Sequence, residues 1–369
     1  MERLRVLHVV AGLDRGGIET WLMHLLRHAD PGRVRFDFLL DAEGTGAYER
    51  EALERGCRVH RLAHRRSRLA YARELRSLVR GAYDVVHAHV DHYSGWVLRA
   101  AALEGVPVRI VSSHNDFSGT PQASGLIRKL YLAWSKRLIR RHATAGLAPS
   151  RGAARWLFGR RWERDPRWKI HPYSIDLGPF REPADRHVVR EALGIPPDAF
   201  VIGHAGKFQE QKNHRFLLRV AREAAAREPR VRLVLAGRGH LQPEIESLAR
   251  EMGVAATFLG SRSDVPRLMK GAFDVFVFPS LHEGCPLAVL EAQAAGLRCV
   301  VSDRIPEEAV VVPELVRRIS LESPLSEWVE SALGSDRRME EGEALAAVER
   351  GPINVENAIS QLMALYTPG

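Results

Sequence analysis

Two carboxylates stand eight positions apart in the stretch HEGCPLAVLEAQAAG, which covers residues 282–296. Glu283 precedes a Gly-Cys-Pro turn, and Glu291 follows an apolar run. Such a pair could supply an acid and a nucleophile, or could hold the hydroxyl groups of a ligand. The two acids could also be no more than the polar residues of an otherwise buried helix. The choice depends on how the strand and the helix around the two acids position them.

The residues between the two acids predict a helix start that binds phosphate. Pro286 suits the first helical turn, where its missing N–H costs nothing. The remaining backbone N–H groups of residues 284–287, those of Gly284, Cys285 and Leu287, would then lack partners within the helix and would point outward, which is typical of an anion site. Glu291 is predicted to lie on a different face from the buried stripe. That stripe is Leu287, Leu290 and Ala294.

Glycines and lysines follow the first predicted strand in each half of the chain. Gly16 and Gly17 precede a helix that should begin near Ile18, so backbone N–H groups there could approach a phosphate without obstruction from a Cβ atom. In GKFQEQKNH, Lys207 and Lys212 lie five positions apart in a loop that enters a helix. Two cations that close could neutralise a diphosphate. A plain tight turn and two surface lysines explain these patterns equally well.

Strands and helices alternate along the chain. Short runs rich in β-branched residues are separated by helix-length segments, which predicts an α/β fold with doubly wound parallel sheets. The predicted strands are residues 5–12, 34–41, 57–63, 83–90, 108–114, 200–207, 231–237, 256–260, 275–280 and 297–303. Ligands of such sheets bind at the carboxyl ends of the strands, which is where the glycines and charges described above lie.

A stretch rich in proline and acids interrupts this alternation and divides the chain into two domains. We predict a Rossmann-like domain at residues 1–178, a linker at 179–197 and a second Rossmann-like domain at 198–345. Residues 346–369 are predicted to form a helix that packs back toward the N-terminal domain. Two domains suit a chain of 369 residues, which is too long for one ordinary core. The two sheets should face each other across a cleft.

Composition predicts a cytoplasmic protein without a disulfide framework. The three cysteines are odd in number and form no CxxC pair, which argues against disulfides and against a zinc site. The sequence MERLRVLHVVAGL has only a short apolar run, so we expect no secretory signal. No stretch approaches the roughly eighteen consecutive apolar residues of a membrane-spanning helix.

Positive charge is concentrated between Arg128 and Lys169. This segment has thirteen lysines and arginines against two acids, so it carries more than the whole formal net charge of +9. It also contains four of the seven tryptophans. Such a mixture suits an anionic membrane surface or a lipid-linked pyrophosphate, and the alternatives are nucleic acid and a plain solvated surface. We expect residues 124–169 to lie on the inner face of the plasma membrane, and we expect no nucleic acid partner.

The first helix of this basic segment, within SGLIRKLYLAWSKRLIRR, has an apolar stripe at helical spacing. We expect the stripe to face the protein core, so that only the basic edge of the helix meets lipid. The stripe consists of Ile127, Leu130, Tyr131, Trp134 and Leu138.

Six motifs in the same order resemble the retaining family-four (group 1) glycosyltransferases with the GT-B fold. They are GGIETW, SSHNDF, LAPSRGAARWLFG, GKFQEQKNH, LAGRGHL and EGCPLAVLEAQAAGL, and they are similar to the capsular and exopolysaccharide branch of that family. The resemblance runs from about Val6 to the terminal NVENAISQLMALY. It implies a retaining hexosyl- or hexosaminyltransferase of cell-envelope polysaccharide synthesis. Its donor would be a nucleoside-diphosphate sugar, and its acceptor a glycan or a polyprenyl-diphosphate-linked glycan.

The resemblance also implies catalytic roles for four residues. Lys212 would bind the donor diphosphate together with Lys207, which stands where the family more often has arginine. Glu283 would contact the hydroxyl groups of the donor sugar. His114, at the end of the predicted strand 108–114, matches the active-site histidine near the transferred sugar.

Glu291 would hold the nucleotide ribose, according to the same resemblance, and the base would lie near residues 259–265. One departure from the family is Tyr173-Ser174, which replaces a common Asn-Gly pair and puts the local turn in doubt. The remaining donor-binding positions would be Gly16, Gly17, Gly206, Gly284, Cys285, Pro286 and Leu287.

The mechanism that the resemblance implies is front-face attack by the acceptor hydroxyl, without a cofactor. Both acids lie in the second domain and are assigned to hydroxyl groups, so double displacement is not favoured. No D-x-D motif occurs in the sequence, so we expect no metal. The rival classes are a nucleotide-sugar epimerase or phosphorylase of the same fold and a non-enzymatic basic membrane adaptor.

Overall fold

A computed structural model describes residues 3–62, 68–116, 125–334 and 339–367 of the protein. It contains two compact units. Unit 1 consists of Met1–Ser174 together with Val355–Gly369, and unit 2 is Ile175–Asn354. Residues Phe117 and Ser124, at the ends of two sequence segments used above, lie outside the described residues.

Unit 1 contains a parallel sheet of seven strands. The strands are β1 (Leu4–Val10), β2 (Val34–Leu40), β3 (Val59–Arg61), β4 (Val85–Ala88), β5 (Val108–Ser112), β6 (Ala145–Ala148) and β7 (Trp168–Ile170). Their order is β3-β2-β1-β4-β5-β6-β7. The central strands are buried nearly throughout, as expected where helices cover both faces of a parallel sheet. In β1, His8 lies opposite Phe38 on one side and His87 on the other.

The helices between these strands are α1 (Gly17–His28), α2 (Glu49–Glu54), α3 (Arg68–Val79), α4 (Ser94–Leu103), α5 (Leu126–His142) and α6 (Arg151–Phe158). They bury apolar side chains against the sheet. In α1, Trp21, Leu22 and Leu25 are buried, which is the helical spacing of a core-facing stripe. Ser150 caps α6 by accepting from the backbone N–H of Ala153.

Unit 2 contains a second parallel sheet, of six strands. They are β8 (Phe200–Ala205), β9 (Val231–Ala236), β10 (Ala256–Phe258), β11 (Val275–Phe278), β12 (Arg298–Ser302) and β13 (Val316–Ile319). Their order is β10-β9-β8-β11-β12-β13, so the direction of winding reverses between β8 and β11. Such a reversal opens a crevice at the carboxyl ends of the two central strands. The prediction of two doubly wound parallel sheets is confirmed.

The remaining helices are α7 (Gly178–Arg181), α8 (Arg186–Ala192), α9 (His214–Arg227), α10 (Gln242–Glu251), α11 (Val265–Gly271), α12 (Leu287–Ala294), α13 (Leu325–Leu333), α14 (Glu341–Glu349) and α15 (Val355–Tyr366). The first eight of these belong to unit 2, and α15 belongs to unit 1. None of the helices in the described ranges is both long and apolar enough to cross a membrane.

The stretch predicted as a linker, 179–197, is built into unit 2. The guanidinium of Arg190 is buried and donates to the carboxylate of Asp274 and to the carbonyl oxygens of three residues. The ammonium of Lys270 donates to the carbonyl oxygens of Phe180 and Glu182. These bonds satisfy buried charges and thereby fix α7 and α8 to the domain. The boundary between the two units lies at residues 174–175, a few residues before the predicted one.

Three strands are absent from the prediction, namely β6, β7 and β13. β6 has the sequence AGLA, and small residues have a low strand propensity. The C-terminal region also differs, because residues 346–369 do not form one helix. A bend and a turn at residues 351–353 separate α14 from α15. Asn354, the next residue, forms an isolated parallel β-bridge with Ile175.

Candidate functional site

The loops that follow β8 and β11 meet at the switch point of unit 2. The backbone N–H of Leu281 donates to the carbonyl oxygen of Gln211 at 2.8 Å, and the amide of Gln211 donates to the carbonyl oxygen of His282 at 2.8 Å. The amide of Asn213 donates to the carbonyl oxygen of Pro279 at 3.2 Å. Two stretches that lie about 70 residues apart in sequence therefore form one surface. The sequence argument about strand ends predicted both stretches.

Lys212 and Glu283 form an ion pair at this surface. Lys212 Nζ lies 2.6 Å from Glu283 Oε1, and the two side chains are only 14% and 7% exposed. The ammonium also lies 4.7 Å from the centroid of the Phe278 ring, which adds a cation–π attraction. A pair this shielded from water interacts more strongly than a surface pair. The structure thus brings together two of the four predicted catalytic residues.

Lys207 does not join this pair. Its side chain is exposed, one residue beyond Gly206 in the same loop. Gly206 itself is closely packed: a Cβ atom on Gly237 would lie 1.9 Å from the carbonyl oxygen of Gly206. Gly237 also has φ of +142°, so both its conformation and its neighbour require glycine. This contact fixes the loop that carries both lysines.

The stretch that carries Glu283 and Glu291 leads into α12. Its first helical residue is Leu287, and Pro286, which was predicted in the first helical turn, is the N-cap residue just before it. The proline side chain cannot accept a hydrogen bond, so the cap leaves the first-turn N–H groups without a side-chain partner. Residues 284–287 are all buried. The N-terminus of this eight-residue helix lies next to Glu283 and has the polarity that favours an anion.

Glu291 lies inside α12 and is partly buried. Removal from water raises the pKa of its carboxyl to about 7. The predicted stripe of Leu287, Leu290 and Ala294 is buried, but Val289 and the residues after Glu291 are buried as well. The predicted stripe is therefore buried as expected, and the burial extends beyond it to most of α12.

Two neutral histidines support the β8 loop and were not predicted. His204 Nδ1 lies 2.9 Å from the carbonyl oxygen of Val277, and burial lowers the pKa of this imidazole to about 4. His214 stacks on Phe208 with ring centroids 4.2 Å apart, and burial lowers its pKa to about 2. Uncharged rings avoid repulsion of the nearby Lys212 ammonium. The available sequence signal was their position: His204 is the last residue but one of β8, and His214 is the first residue of α9.

In unit 1, the paired glycines lie where the sequence predicted them. α1 begins at Gly17, and Gly16 is its extended N-cap residue, with no side chain to cap the helix. A Cβ atom on Gly17 would meet nothing within 4 Å. The glycine is therefore not required by packing within unit 1, and the space in front of the helix is open to a ligand atom.

His114 follows β5 and is buried, and both of its ring nitrogens are hydrogen-bonded. Nε2 lies 2.9 Å from His89 Nδ1, and Nδ1 contacts the hydroxyl oxygen of Tyr173. Burial lowers the pKa of His114 to about 3, so the ring is neutral near neutral pH. Tyr173 is the residue that departs from the family pattern, and it is a direct partner of the predicted catalytic histidine.

Further histidines adjoin His114, and sequence reasoning missed them. His8 Nδ1 lies 3.0 Å from His89 Nε2. His87 bonds through Nε2 to Ser112 and through Nδ1 to Tyr366 of α15. The available signal was HAH at 87–89, because residues two apart on a strand share one face.

His8, His87 and His89 offer ring nitrogens within 4.8 Å of one another and could hold a metal ion. Imidazoles suit zinc, copper and nickel. In the structure, however, His8 and His89 bond to each other and His87 bonds to Ser112 and Tyr366, so a metal would have to replace these bonds. No carboxylate belongs to this cluster within the described ranges.

The basic helix α5 is divided along its length. Ile127, Leu130 and Trp134 are 85%, 62% and 52% exposed, whereas Leu138 is buried. The prediction that the whole stripe faces the core is therefore wrong for its first half. The following tryptophans serve the fold in part, since Trp168 stacks on Phe158 with centroids 4.6 Å apart.

Two family models match the chain. Residues 199–318 match the model described as "Glycosyl transferases group 1", and residues 16–174 match the "Glycosyl transferase 4-like domain". The "Putative glycosyltransferase EpsF" of Bacillus subtilis is 41% identical over 338 residues, which cover 89% of this chain and 86% of the relative.

A second relative is the "UDP-Gal:alpha-D-GlcNAc-diphosphoundecaprenol alpha-1,3-galactosyltransferase" of Escherichia coli. It is 31% identical over 229 residues, which are 60% of this chain and 58% of the relative.

Solved structures share the fold at low identity. Anabaena Alr3699/HepE in complex with UDP and glucose has a TM-score of 0.80 at 18% identity, covering 98% of this chain and 99% of that one. WaaG, a glycosyltransferase involved in lipopolysaccharide biosynthesis, has a TM-score of 0.75 at 17% identity, covering 99% of this chain and all of that one.

Proposed function

Because this chain belongs to the group 1 glycosyltransferases, we propose that it transfers a hexosyl or hexosaminyl group from a nucleoside-diphosphate sugar to a glycan. The transfer retains the configuration at the anomeric carbon, and the acceptor is a growing surface polysaccharide, free or linked to a polyprenyl diphosphate. The observation that carries this proposal is the shielded Lys212–Glu283 pair beside the N-terminus of α12. The name of the Escherichia coli relative, which contains a diphosphoundecaprenol-linked acceptor, supports the lipid-linked acceptor.

The pair can serve both ends of a sugar diphosphate. An ammonium has three N–H donors, so Lys212 can keep its bond to Glu283 and also donate to a diphosphate oxygen. The carboxylate of Glu283 has a second oxygen that can accept from sugar hydroxyls. The first-turn amides of α12 would add donors to the phosphate from the other side. Glu291, further along the same helix, would accept from the ribose.

The proposed reaction is front-face attack by the acceptor hydroxyl. Double displacement would need a free carboxylate as nucleophile. Glu283 is held by Lys212 at 2.6 Å, and Glu291 has a pKa near 7 and lies within a helix. Charge develops instead on the departing diphosphate, where Lys212, Lys207 and the helix amides stabilise it electrostatically. We propose that no metal takes part.

A donor and acceptor screen tests this function. The full chain is incubated with uridine, guanosine and adenosine diphosphate sugars and a polyprenyl-diphosphate glycan, and the product's anomeric configuration is read by NMR. A glycoside with the donor's configuration is expected. A free epimer or a sugar phosphate would instead identify the rival epimerase or phosphorylase. Glu283→Ala should abolish transfer, whereas the matched change at the exposed acid Glu314 should not.

We propose that the exposed side chains of α5, between Leu126 and Arg140, bind an anionic membrane surface, which would bring a lipid-linked acceptor near. The helix contains no acid, and Lys129, Arg137 and Arg140 are exposed along it. The exposed apolar residues lie on one side at helical spacing, as in helices that lie in a lipid interface. Anionic lipid complements both features, so the site of action is the inner face of the plasma membrane.

Vesicle flotation tests this surface. The chain should float with vesicles containing phosphatidylglycerol and should stay behind with neutral vesicles. Replacing Ile127, Leu130 and Trp134 together by serine should reduce flotation at least tenfold, because each buried apolar side chain contributes about 1.5–3 kcal/mol. The exposed Leu53 of α2 is the matched control for loss of a surface leucine. Equal flotation with neutral and anionic vesicles would remove the proposal.

A further inference from the structure

Three imidazoles and a phenol form one continuous row of hydrogen bonds in unit 1. His8 Nδ1 lies 3.0 Å from His89 Nε2, His89 Nδ1 lies 2.9 Å from His114 Nε2, and His114 Nδ1 contacts the Tyr173 hydroxyl. His8 belongs to β1, and the other three residues follow β4, β5 and β7. The row therefore crosses the carboxyl edge of the sheet, from its centre toward one side.

The row is fixed by the backbone below it and by a large ring above it. The N–H of His89 donates to the carbonyl oxygen of Val9 at 2.8 Å, which ties the loop after β4 to β1. The buried Trp21 of α1 packs over the row, with ring centroids 6.1 Å from His89, 6.2 Å from His114 and 5.3 Å from Tyr173. α1 is the helix that begins at Gly17.

All three imidazoles are neutral near neutral pH. Burial lowers the pKa of His8 and of His114 to about 3, and the pKa of His89 lies well below its ordinary value. A neutral imidazole has one N–H donor and one lone pair. Each bond in the row needs one donor, so the protons must all point the same way along it. The tautomer of one ring therefore sets the tautomers of the others.

The end of the row at His8 selects the direction. His8 Nε2 has no hydrogen-bond partner among the described residues. Its ring lies against Phe36 and Phe38, with centroids 4.8 and 5.6 Å away. A buried N–H without an acceptor is rarer in proteins than a lone pair without a donor. The proton of His8 is therefore on Nδ1, which places the proton of His89 on Nδ1 and that of His114 on Nδ1.

We propose that His8, His89 and Tyr173 are positioning residues for sugar transfer, which hold His114 in one orientation and in the tautomer that is protonated on Nδ1. Both ring nitrogens of His114 are held in this way, because Nε2 accepts from His89 and Nδ1 donates to the Tyr173 hydroxyl. The role of His114 at the sugar rests on the proposed function. The tautomer does not, because it follows from the row alone.

Nitrogen NMR of the full chain, labelled with ¹⁵N in its histidines, tests the tautomer without any substrate. The His114 signals are identified by their loss in His114→Gln. We expect a protonated Nδ1 and an unprotonated Nε2. His89→Phe keeps an aromatic ring but removes the donor to Nε2, so the Nε2 signal of His114 should move to that of a nitrogen that accepts no hydrogen bond, while Nδ1 stays protonated. His89→Asn can place an amide N–H near the position of Nδ1 and should restore the original signals.

Turnover supplies the second measurement. Loss of one positioning hydrogen bond should lower kcat about tenfold in His89→Phe with little change in KM, and His89→Asn should recover most of it. The control is His60→Phe, which breaks a His–Tyr bond elsewhere in unit 1. An Nε2-protonated His114 in the original chain, or unchanged signals in His89→Phe, would overturn the proposal. A changed Nε2 signal in His89→Phe with unchanged kcat would overturn the positioning role. Absence of transfer by the original chain would instead overturn the proposed function and leave the NMR result standing.

Discussion

At the switch point of unit 2, an ammonium and a carboxylate lie 2.6 Å apart, whereas the corresponding edge of unit 1 carries neutral rings joined nitrogen to nitrogen. Both groups are largely shielded from water. Charge pays a high desolvation penalty in such places and persists only when it is paired. Imidazoles avoid that penalty by losing their protons. The two units therefore build polar sites by different means, which should respond differently to mutation and to pH.

The largest difference should appear when one member of each group is made apolar. Lys212→Met leaves the Glu283 carboxylate buried without its partner, and we expect a loss of about 3–5 kcal/mol in the free energy of unfolding. His8→Phe removes a neutral ring among Phe36 and Phe38 and should cost much less, because the site is already apolar on that side. Denaturant unfolding monitored by circular dichroism compares them.

A second change at the same pair serves as the control for this comparison. Lys212→Met combined with Glu283→Gln removes both charges and should recover most of the lost free energy, because no ion is left buried. If Lys212→Met alone costs no more than His8→Phe, the pair is not shielded in solution and the contrast between the two units fails.

Turnover should separate the two acids of unit 2. Glu283→Gln keeps the shape but removes the charge that holds Lys212 and accepts from the sugar, so we expect kcat to fall by roughly 10²–10³. Glu291→Gln should mainly raise the dissociation constant of the donor, because its proposed contact is to the ribose. Steady-state kinetics and calorimetric titration of the nucleotide measure the two effects. The reverse pattern would refute this division of labour.

How much of this could be predicted from the sequence differs between the two units. In unit 2 the predicted residues lie in two short stretches, 206–213 and 283–291, and each comes within five residues of the end of a recognisable strand. The rule that ligands bind at the carboxyl ends of parallel strands was sufficient to bring them together. The ion pair itself requires coordinates, because spacing along the chain says nothing about which cation meets which acid.

In unit 1 the row of rings is dispersed over the sequence at positions 8, 89, 114 and 173. Only His114 was predicted, and that prediction came from resemblance. Tyr173 follows β7, a three-residue strand that the pattern does not reveal, so its approach to His114 could not be expected. A group assembled from four separate strands leaves no linear motif. The pH response of the two units is the most direct way to test whether this hidden group behaves as its burial requires.

Acid should destabilise unit 1 through its buried histidines. The pKa of His8 is about 3 in the folded chain and 6.5 in a model peptide. Between these values the unfolded chain binds more protons, so stability is full above pH 6.5 and falls as the pH decreases toward 3. His8→Phe should remove the part of this loss that His8 contributes, which is up to about 1.4 kcal/mol of the free energy of unfolding per pH unit. Unfolding curves at pH 7, 6 and 5 measure the slope, and equal slopes in both proteins would show that His8 is not buried as a neutral ring.

Glu291 should produce the opposite and smaller response in unit 2. Its pKa rises from 4.5 to about 7, so the folded chain retains a proton that the unfolded chain has lost between these values. Stability from this residue therefore decreases as the pH rises from 4.5 toward 7, the reverse of the His8 effect. Glu291→Gln should flatten that decrease in stability, and because the side chain is only partly buried we expect its effect to be smaller than that of His8→Phe.

The affinity for the donor should change with pH in the opposite direction. An ionised carboxylate is the better acceptor for ribose hydroxyls, so the original chain should bind the nucleotide more tightly at pH 8 than at pH 6. Glu291→Gln should bind it equally at both. A pH-independent affinity in the original chain would place the ribose elsewhere and leave unit 2 with a single functional acid, Glu283.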